Sequence, residues 1–287
     1  MQMVSAADGG LTTLSNELSI WWMSLSVASL INIAAWCVSA WLLGKRRASW
    51  TIDAYGTRRK IMWLAAAYVL GCGFRSILPM IEVPHICLFD VWISRVAVTR
   101  SVATIAEICF AAQWALLLRE AGADTGTRLA TLVSRLLVPI VILAELFCWY
   151  AVFAGSYLPH AIENAHWTLA GMLVVMAFIA LWPRVGNAAR PFVAAVIASG
   201  TTYVAFMIAV DVPMYLARWQ DGIAAGHEAR SLLEGLRASL QRCVVTNDWA
   251  IWREDAVWLS LYFTAGVWAS IALAHAPHFR RDEGSGR

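Results

Sequence analysis

The chain has 287 residues, of which 60% are hydrophobic and 14% are charged, and its formal net charge is +3. Soluble globular domains contain about 25% charged residues. The shortfall and the long apolar runs exclude an ordinary soluble protein and predict a membrane protein. The small net charge gives no reason to expect a nucleic acid as partner. Six cysteines without a CxxC pair exclude a zinc ribbon or a thioredoxin-like motif.

Seven apolar runs are each close to the roughly 20 residues that a helix needs to cross a bilayer. They cover residues 20–43, 61–81, 96–118, 129–153, 164–182, 189–210 and 256–275. We therefore predict an all-α, polytopic integral membrane protein with seven transmembrane helices in a single domain, residues 1–287. Residues 1–19 contain no Lys or Arg, so we expect the first run to be a retained span rather than a signal peptide.

Basic residues in alternate connections predict the orientation of the chain. They are Lys45, Arg46, Arg47, Arg58, Arg59, Lys60, Arg119, Arg128, Arg184, Arg190, Arg280, Arg281 and Arg287. The N-terminus and the 154–163 loop contain none, and the 82–95 loop contains Arg95 alone. This asymmetry predicts an outside N-terminus and a cytoplasmic C-terminus, and the short loops fit a bacterial inner membrane.

The 211–255 connection is the largest predicted non-membrane segment. Four leucines recur in it at helical spacing: Leu232, Leu233, Leu236 and Leu240. This pattern predicts an amphipathic helix on the outer face of the bundle. The sequence Asp211-Val212-Pro213 at its start predicts that the sixth span ends or bends there.

The third apolar run carries charges that lipid would not tolerate. Arg100, Glu107 and Trp114 are spaced seven apart, so they lie on nearly one helical face. A charge near the bilayer centre costs about 2.5–3.5 kcal/mol even on lenient insertion scales. This helix is therefore expected to line a polar cavity.

Polar side chains from the other spans fall at similar depth under the predicted orientation. They are Arg75, Glu145, His160, Glu163, His166 and Asp211. We predict an outward-facing charged cavity in the outer half of the bundle, with Arg75–Glu107 and Arg100–Glu145 as expected ion pairs. The alternative is that these pairs merely fix the packing of the helices.

His160-x-x-Glu163-x-x-His166 is the sequence pattern closest to a metal site, because the three side chains share one helical face. Glu82-x-x-His85 lies on the same predicted side, although Pro84 argues against a helix there. No established zinc spacing such as HExxH is present, so a divalent metal is a weak expectation.

Other cofactors are excluded by the positions of a few residues. No His lies deep in a span, which excludes b-type haem. Lys45 and Lys60 are the sole lysines and lie outside the last span, which excludes a retinal Schiff base. No P-loop or dinucleotide fingerprint occurs, so nucleotide binding is unsupported. The 16 tryptophans, mostly near span ends, indicate an interfacial aromatic belt.

The cysteines divide into two groups. Cys87 and Cys243 are both predicted outside, where an oxidising compartment would allow a disulfide between them. The remaining four lie within spans and are expected to pack as small apolar residues: Cys37, Cys72, Cys109 and Cys148.

Two functions fit this sequence. The first is a membrane-embedded enzyme at the outer leaflet that acts on a lipid or amphipathic substrate. Glu107 and Glu145 would be its acid–base groups. Arg75 and Arg100 would hold an anionic group of the substrate, and Trp114 and Asp211 complete the predicted substrate-binding residues. The second is a transporter or receptor that binds a small ion or metabolite in the same cluster.

The two functions make different structural demands. The enzyme requires His160 or His166 to converge with Glu145. Transport requires a polar path that continues inward from Glu107, past Gln113 or Arg135. The few polar residues in the inner halves of the spans favour the enzyme slightly.

Overall fold

The computed structural model describes residues 15–280 as a bundle of long helices. Residues 1–14, Arg281 and Arg287, on which the predicted orientation also depends, lie outside the described residues. The α-helices, in chain order, are α1 (Asn16–Lys45), α2 (Ile52–Ile77), α3 (Val96–Thr125), α4 (Arg128–Ala154), α5 (Tyr157–Leu181), α6 (Arg190–Phe206), α7 (Val212–Ala224), α8 (Leu232–Leu240), α9 (Trp249–Leu261) and α10 (Val267–Leu273).

Shorter elements complete the described chain. Two π-helical segments, Met207–Asp211 and Tyr262–Gly266, join α6 to α7 and α9 to α10 without a break. Three two-residue strands form a small sheet: β1 (Met80–Ile81), β2 (Ile86–Cys87) and β3 (Val244–Val245). Single 3-10 turns occur at Arg47–Ser49, Trp92–Ser94, Trp182–Arg184 and Asn187–Ala189.

Six helical segments are long and apolar enough to cross a membrane: Asn16–Lys45, Val96–Thr125, Arg128–Ala154, Tyr157–Arg184, Asn187–Ala224 and Trp249–Leu273. The predicted all-α fold is thereby confirmed, and six of the seven predicted spans have the length and composition of a membrane crossing. α2 is not among the six. It has a similar length, but its apolar stretch is bounded by Lys60 and Arg75.

One end of the bundle is tied together by a disulfide, and we call it the disulfide end. Cys87, in the connection between α2 and α3, is bonded to Cys243, which precedes β3. β2 pairs with β1 in antiparallel fashion and with β3 in parallel fashion, so the sheet joins the same two segments. The disulfide that the sequence allows is therefore present.

The opposite end, which we call the basic end, is joined by polar contacts between α1, α2, α3 and the chain after α10. Ser39 lies 2.5 Å from the ring of His275. Arg58 pairs with Glu120 at 2.7 Å and donates to the carbonyl of Pro277 at 3.3 Å. The connections that the sequence predicts to be cytoplasmic gather at this end.

The sixth span does not end at Pro213. The helix continues through the π segment and α7 to Ala224. Proline has no N–H to donate to the carbonyl four residues earlier, and it normally interrupts an α-helix. Here the π-helical segment Met207–Asp211 lies directly before Pro213, and its wider hydrogen-bonding register allows the helix to continue although proline donates no hydrogen bond. The connection proper therefore begins after Ala224.

The α8 helix is amphipathic, as its leucine spacing predicts. Its N-terminus is a capping box in which the Ser231 hydroxyl accepts from the N–H of Glu234, and the Glu234 carboxylate accepts from the N–H of Ser231. Gly235 contacts the backbone carbonyl of Phe153 on α4 and leaves no room for a Cβ atom. Its four leucines are all 45–60% exposed: Leu232, Leu233, Leu236 and Leu240.

Candidate functional site

The centre of the site is a single guanidinium group surrounded by carboxylates. Nη2 of Arg100 lies 2.6 Å from Oε2 of Glu145 and 3.2 Å from Oε2 of Glu107. Its Nη1 lies 3.3 Å from Oε2 of Glu82. All four side chains are at most 8% exposed. Charge-assisted bonds of this kind are strong, and here they join α3, α4 and the turn between β1 and β2.

Glu82 is held between two arginines. Its Oε1 accepts from Nη2 of Arg75 at 3.0 Å, opposite its contact with Arg100. Burial alone would raise the pKa of Glu82, but the two guanidinium groups outweigh it and lower that pKa to about 2. The sequence pattern does not predict Glu82 as a member of the charge cluster, because nothing in a short turn between two strands indicates that its side chain folds into the bundle.

Glu145 and Glu107 each have a hydroxyl donor. Thr104 donates to Oε2 of Glu145 at 2.6 Å. Tyr262 donates to Oε1 of Glu107 at 2.9 Å. Oε1 of Glu145 is buried and has no hydrogen-bond partner among the described residues. The cluster therefore keeps one free acceptor atom that faces the protein interior.

Both π-helical segments contribute to this region. Tyr262 is the first residue of one segment, and Asp211 is the last residue of the other. Asp211 is 2% exposed, and its Oδ2 has no hydrogen-bond partner within residues 15–280. π-helical turns occur frequently at functional sites because they redirect side chains that a regular helix would place elsewhere.

A second group of donors adjoins the first. Sγ of Cys148 lies 3.7 Å from Oε2 of Glu82 and 3.8 Å from Nδ1 of His160. Nδ1 of His160 in turn lies 2.8 Å from Oε2 of Glu163. Cys148 was expected to pack as an apolar residue, and it is fully buried, but its neighbours are polar.

The charges of the cluster do not balance. Four buried carboxylates face two buried guanidinium groups, those of Arg75 and Arg100. The four are Glu82, Glu107, Glu145 and Glu163. Oxygen atoms of the last three all lie within 4.8 Å of one another. Carboxylates at this separation, away from water, ionise together only when additional positive charge is present. The cluster can therefore hold protons or a cation beside its two guanidinium groups.

The structure separates two predicted site residues from this cluster. Nδ1 of His166 donates to the carbonyl of Ile162, and its ring stacks on Phe147. Trp114 packs edge-to-face on Phe178 in the apolar core. Trp114 lies about 10 Å further along α3 than Glu107, at a depth where its neighbours are aromatic, Phe110 and Phe178.

Buried polar groups continue along α3 toward the basic end. The side chain of Gln113 is fully buried and is hydrogen-bonded to Ser270 at 2.9 Å. Glu120, seven residues further, pairs with Arg58, which is also fully buried. Arg135, in contrast, is exposed on α4. The inward polar groups therefore lie on α3.

No protein-family profile, curated protein or solved structure matches this chain. Function must therefore be inferred from the chemistry of the cluster itself.

Proposed function

We propose that this protein is a transporter of the bacterial inner (plasma) membrane that binds protons in the buried carboxylate cluster. The observation that carries the proposal is the excess of buried carboxylates around Arg100 and Arg75. Intramembrane ionisable groups are rare, and they mark ion and proton pathways in pumps and transporters. Because the excess charge is negative, the cluster favours a cation over an anion.

The proposed topology has seven crossings, with α2 as the seventh. α2 packs against α1, α3 and α10 and runs from the basic end to the disulfide end. Its charged residues Arg58 and Arg75 are buried against partners rather than exposed to lipid. By the positive-inside rule the basic end is cytoplasmic. The disulfide then lies in the outer, oxidising compartment, with the N-terminus on that side and the C-terminus in the cytoplasm.

The geometry supports the transporter over a lipid-directed enzyme with an anion site. In such an enzyme Arg75 and Arg100 would bind an anionic substrate. Both guanidinium groups are already occupied by carboxylates, with Arg100 facing three of them. An anionic head group would have to displace these contacts and would add to the existing negative charge.

The polar groups on α3 also fit transport. Gln113 lies six residues after Glu107, and Glu120 lies seven residues after Gln113. At 1.5 Å per residue the two steps are about 9 Å and about 10 Å. These steps are too long for direct hydrogen bonds, so proton movement along them requires bridging water molecules.

One observation favours an enzyme as the second candidate. His160 bonds to Glu163, whose oxygen lies within 4.8 Å of oxygens of Glu107 and Glu145. His160 therefore converges with the proposed acid–base carboxylates, as a metal-assisted enzyme acting on an uncharged or amphipathic lipid would require.

Electrical recording on proteoliposomes fused to a solid-supported membrane tests the proton proposal. A step in external pH is expected to give a transient current as protons enter the cluster, followed by sustained current if they cross. Glu107→Gln should abolish both components. Glu228→Gln, a change in the exposed connection between α7 and α8, should leave them intact. A wild-type protein without current, or a Glu107→Gln variant with unchanged current, would refute the proposal.

A further inference from the structure

Three strong metal ligands converge beside the carboxylate cluster. Glu82 comes from the turn between β1 and β2, Cys148 from α4 and His160 from α5. One ligand atom of each lies within 4.8 Å of the other two. All three side chains are buried, with exposed fractions of at most 8%. A thiol, an imidazole and a carboxylate together are the ligand types that zinc sites use.

The two separations from sulfur are close to the edges of a tetrahedral coordination shell. Zinc–sulfur bonds are about 2.3 Å long, and zinc–nitrogen and zinc–oxygen bonds about 2.0–2.2 Å. At tetrahedral angles these lengths place sulfur about 3.5 Å from nitrogen or oxygen. Sγ of Cys148 lies 3.7 Å from Oε2 of Glu82 and 3.8 Å from Nδ1 of His160. A movement of a few tenths of an ångström would therefore bring both pairs to tetrahedral separation, and the nitrogen and oxygen donors lie within 4.8 Å of each other.

We propose that Glu82, Cys148 and His160 bind a divalent metal ion of the zinc class. This inference adds a site to the proposed proton transporter and uses two residues, Cys148 and His160, on which the proton proposal does not depend. The sequence placed a metal on His160, Glu163 and His166. The proposed site keeps His160 and has Cys148 and Glu82 in place of Glu163 and of His166, which bonds to its own helix backbone.

The charge of the region favours this ion. When all four carboxylates are ionised, the two guanidinium groups leave two excess negative charges that protons or a metal ion must offset. A divalent ion that binds the Cys148 thiolate displaces the thiol proton to solvent and leaves one excess negative charge. Nδ1 of His160 now lies 2.8 Å from Oε2 of Glu163, and the bond to the metal would replace this contact, because a ring nitrogen that binds a metal has no proton to donate.

Cobalt(II) provides a direct test, because a Co²⁺–thiolate bond gives a charge-transfer absorption band in the near ultraviolet. The purified full-length protein in detergent would be stripped with a chelator and titrated with Co²⁺ and then Zn²⁺. We expect one Co²⁺ per chain, a charge-transfer band, release of protons on binding, and loss of the band when Zn²⁺ displaces Co²⁺.

Matched variants identify the ligands. Cys148→Ser should abolish the band, whereas Cys109→Ser, which changes a partly buried cysteine of α3, should keep it. His160→Gln should lower the affinity for Co²⁺ at least tenfold and retain the elution volume of the folded protein. A wild-type protein without the band, or a Cys148→Ser variant that retains it, would overturn the proposal.

The metal site and the proton function can fail separately. The pH-step currents are recorded in a chelator, and their loss in Glu107→Gln involves no metal. Currents without a cobalt band would overturn the metal site alone. A cobalt band without currents would overturn the proton proposal alone.

Discussion

Glu82→Gln removes one negative charge from between two buried arginines and keeps the shape of the side chain. In the folded protein the pKa of Glu82 is about 2, against an ordinary value of 4.5. This difference corresponds to roughly 3 kcal/mol of stability. Because the pKa is lowered, the stabilisation is complete above pH 4.5 and is lost as pH falls toward 2. At pH 7 the free energy of unfolding of the variant should therefore be about 3 kcal/mol lower than that of the wild type.

Equilibrium unfolding by SDS in mixed micelles, followed by tryptophan fluorescence, measures this difference. Arg75→Met and the double variant complete a mutant cycle, and Arg75 pairs with Glu82 at 3.0 Å. We expect the loss of stability in the double variant to be at least about 1 kcal/mol smaller than the sum of the losses in the two single variants. A Glu82→Gln variant within about 0.5 kcal/mol of the wild type at pH 7 would refute the reasoning. A double variant whose loss of stability equals the sum of the two single losses would refute it as well.

Three further predictions concern the disulfide end. Gly235→Ala should separate α8 from the carbonyl of Phe153 and lower stability. At Gly56, in contrast, a Cβ atom would meet nothing within 4 Å, so Gly56→Ala should raise stability by about 0.5–1 kcal/mol. The same SDS titration measures both changes. Cys243→Ser should cost about 2–5 kcal/mol, since the disulfide closes a loop across a sequence separation of 156 residues, and an unchanged midpoint would argue against the bond. Burial lowers the pKa of His85 below its ordinary value of 6.5. As pH falls through 6.5, His85 therefore binds a proton in the unfolded chain before it does so in the folded chain. Stability should therefore fall as pH drops below about 6.5, and His85→Gln should reduce that slope in unfolding curves recorded from pH 5 to pH 8.

The helical bundle was predictable because lipid imposes a simple pattern on sequence. Long apolar runs marked the spans, and buried charges such as Arg100 and Glu107 marked the helix face that turns away from lipid. The contact between Arg100 and Glu145 could be expected because the predicted orientation places both in the outer half of the bundle. The disulfide could be named as a possibility because Cys87 and Cys243 lie on the same predicted side.

Other features depended on tertiary contacts that local sequence does not encode. Glu82 enters the cluster because a short turn folds into the bundle, and its immediate sequence resembles any polar loop. The helix continues past Pro213 because the π-helical segment before it has a wider hydrogen-bonding register, which accommodates a residue without an N–H donor. Helix propensities do not include this effect. Trp114 shares the face of Glu107 but lies about 10 Å further along α3, where the neighbouring helices present apolar side chains instead of charged ones.

The central claim is that the buried carboxylates around Arg100 bind protons, and infrared difference spectroscopy tests it most directly. The chelator-treated protein, reconstituted near pH 7, should show the carbonyl stretching band of a protonated carboxylic acid, shifted in D₂O. The band should be lost or clearly reduced in Glu107→Gln and in Glu145→Gln, and retained in Glu228→Gln. A spectrum without such a band, or a band that both cluster variants leave unchanged, would contradict the account.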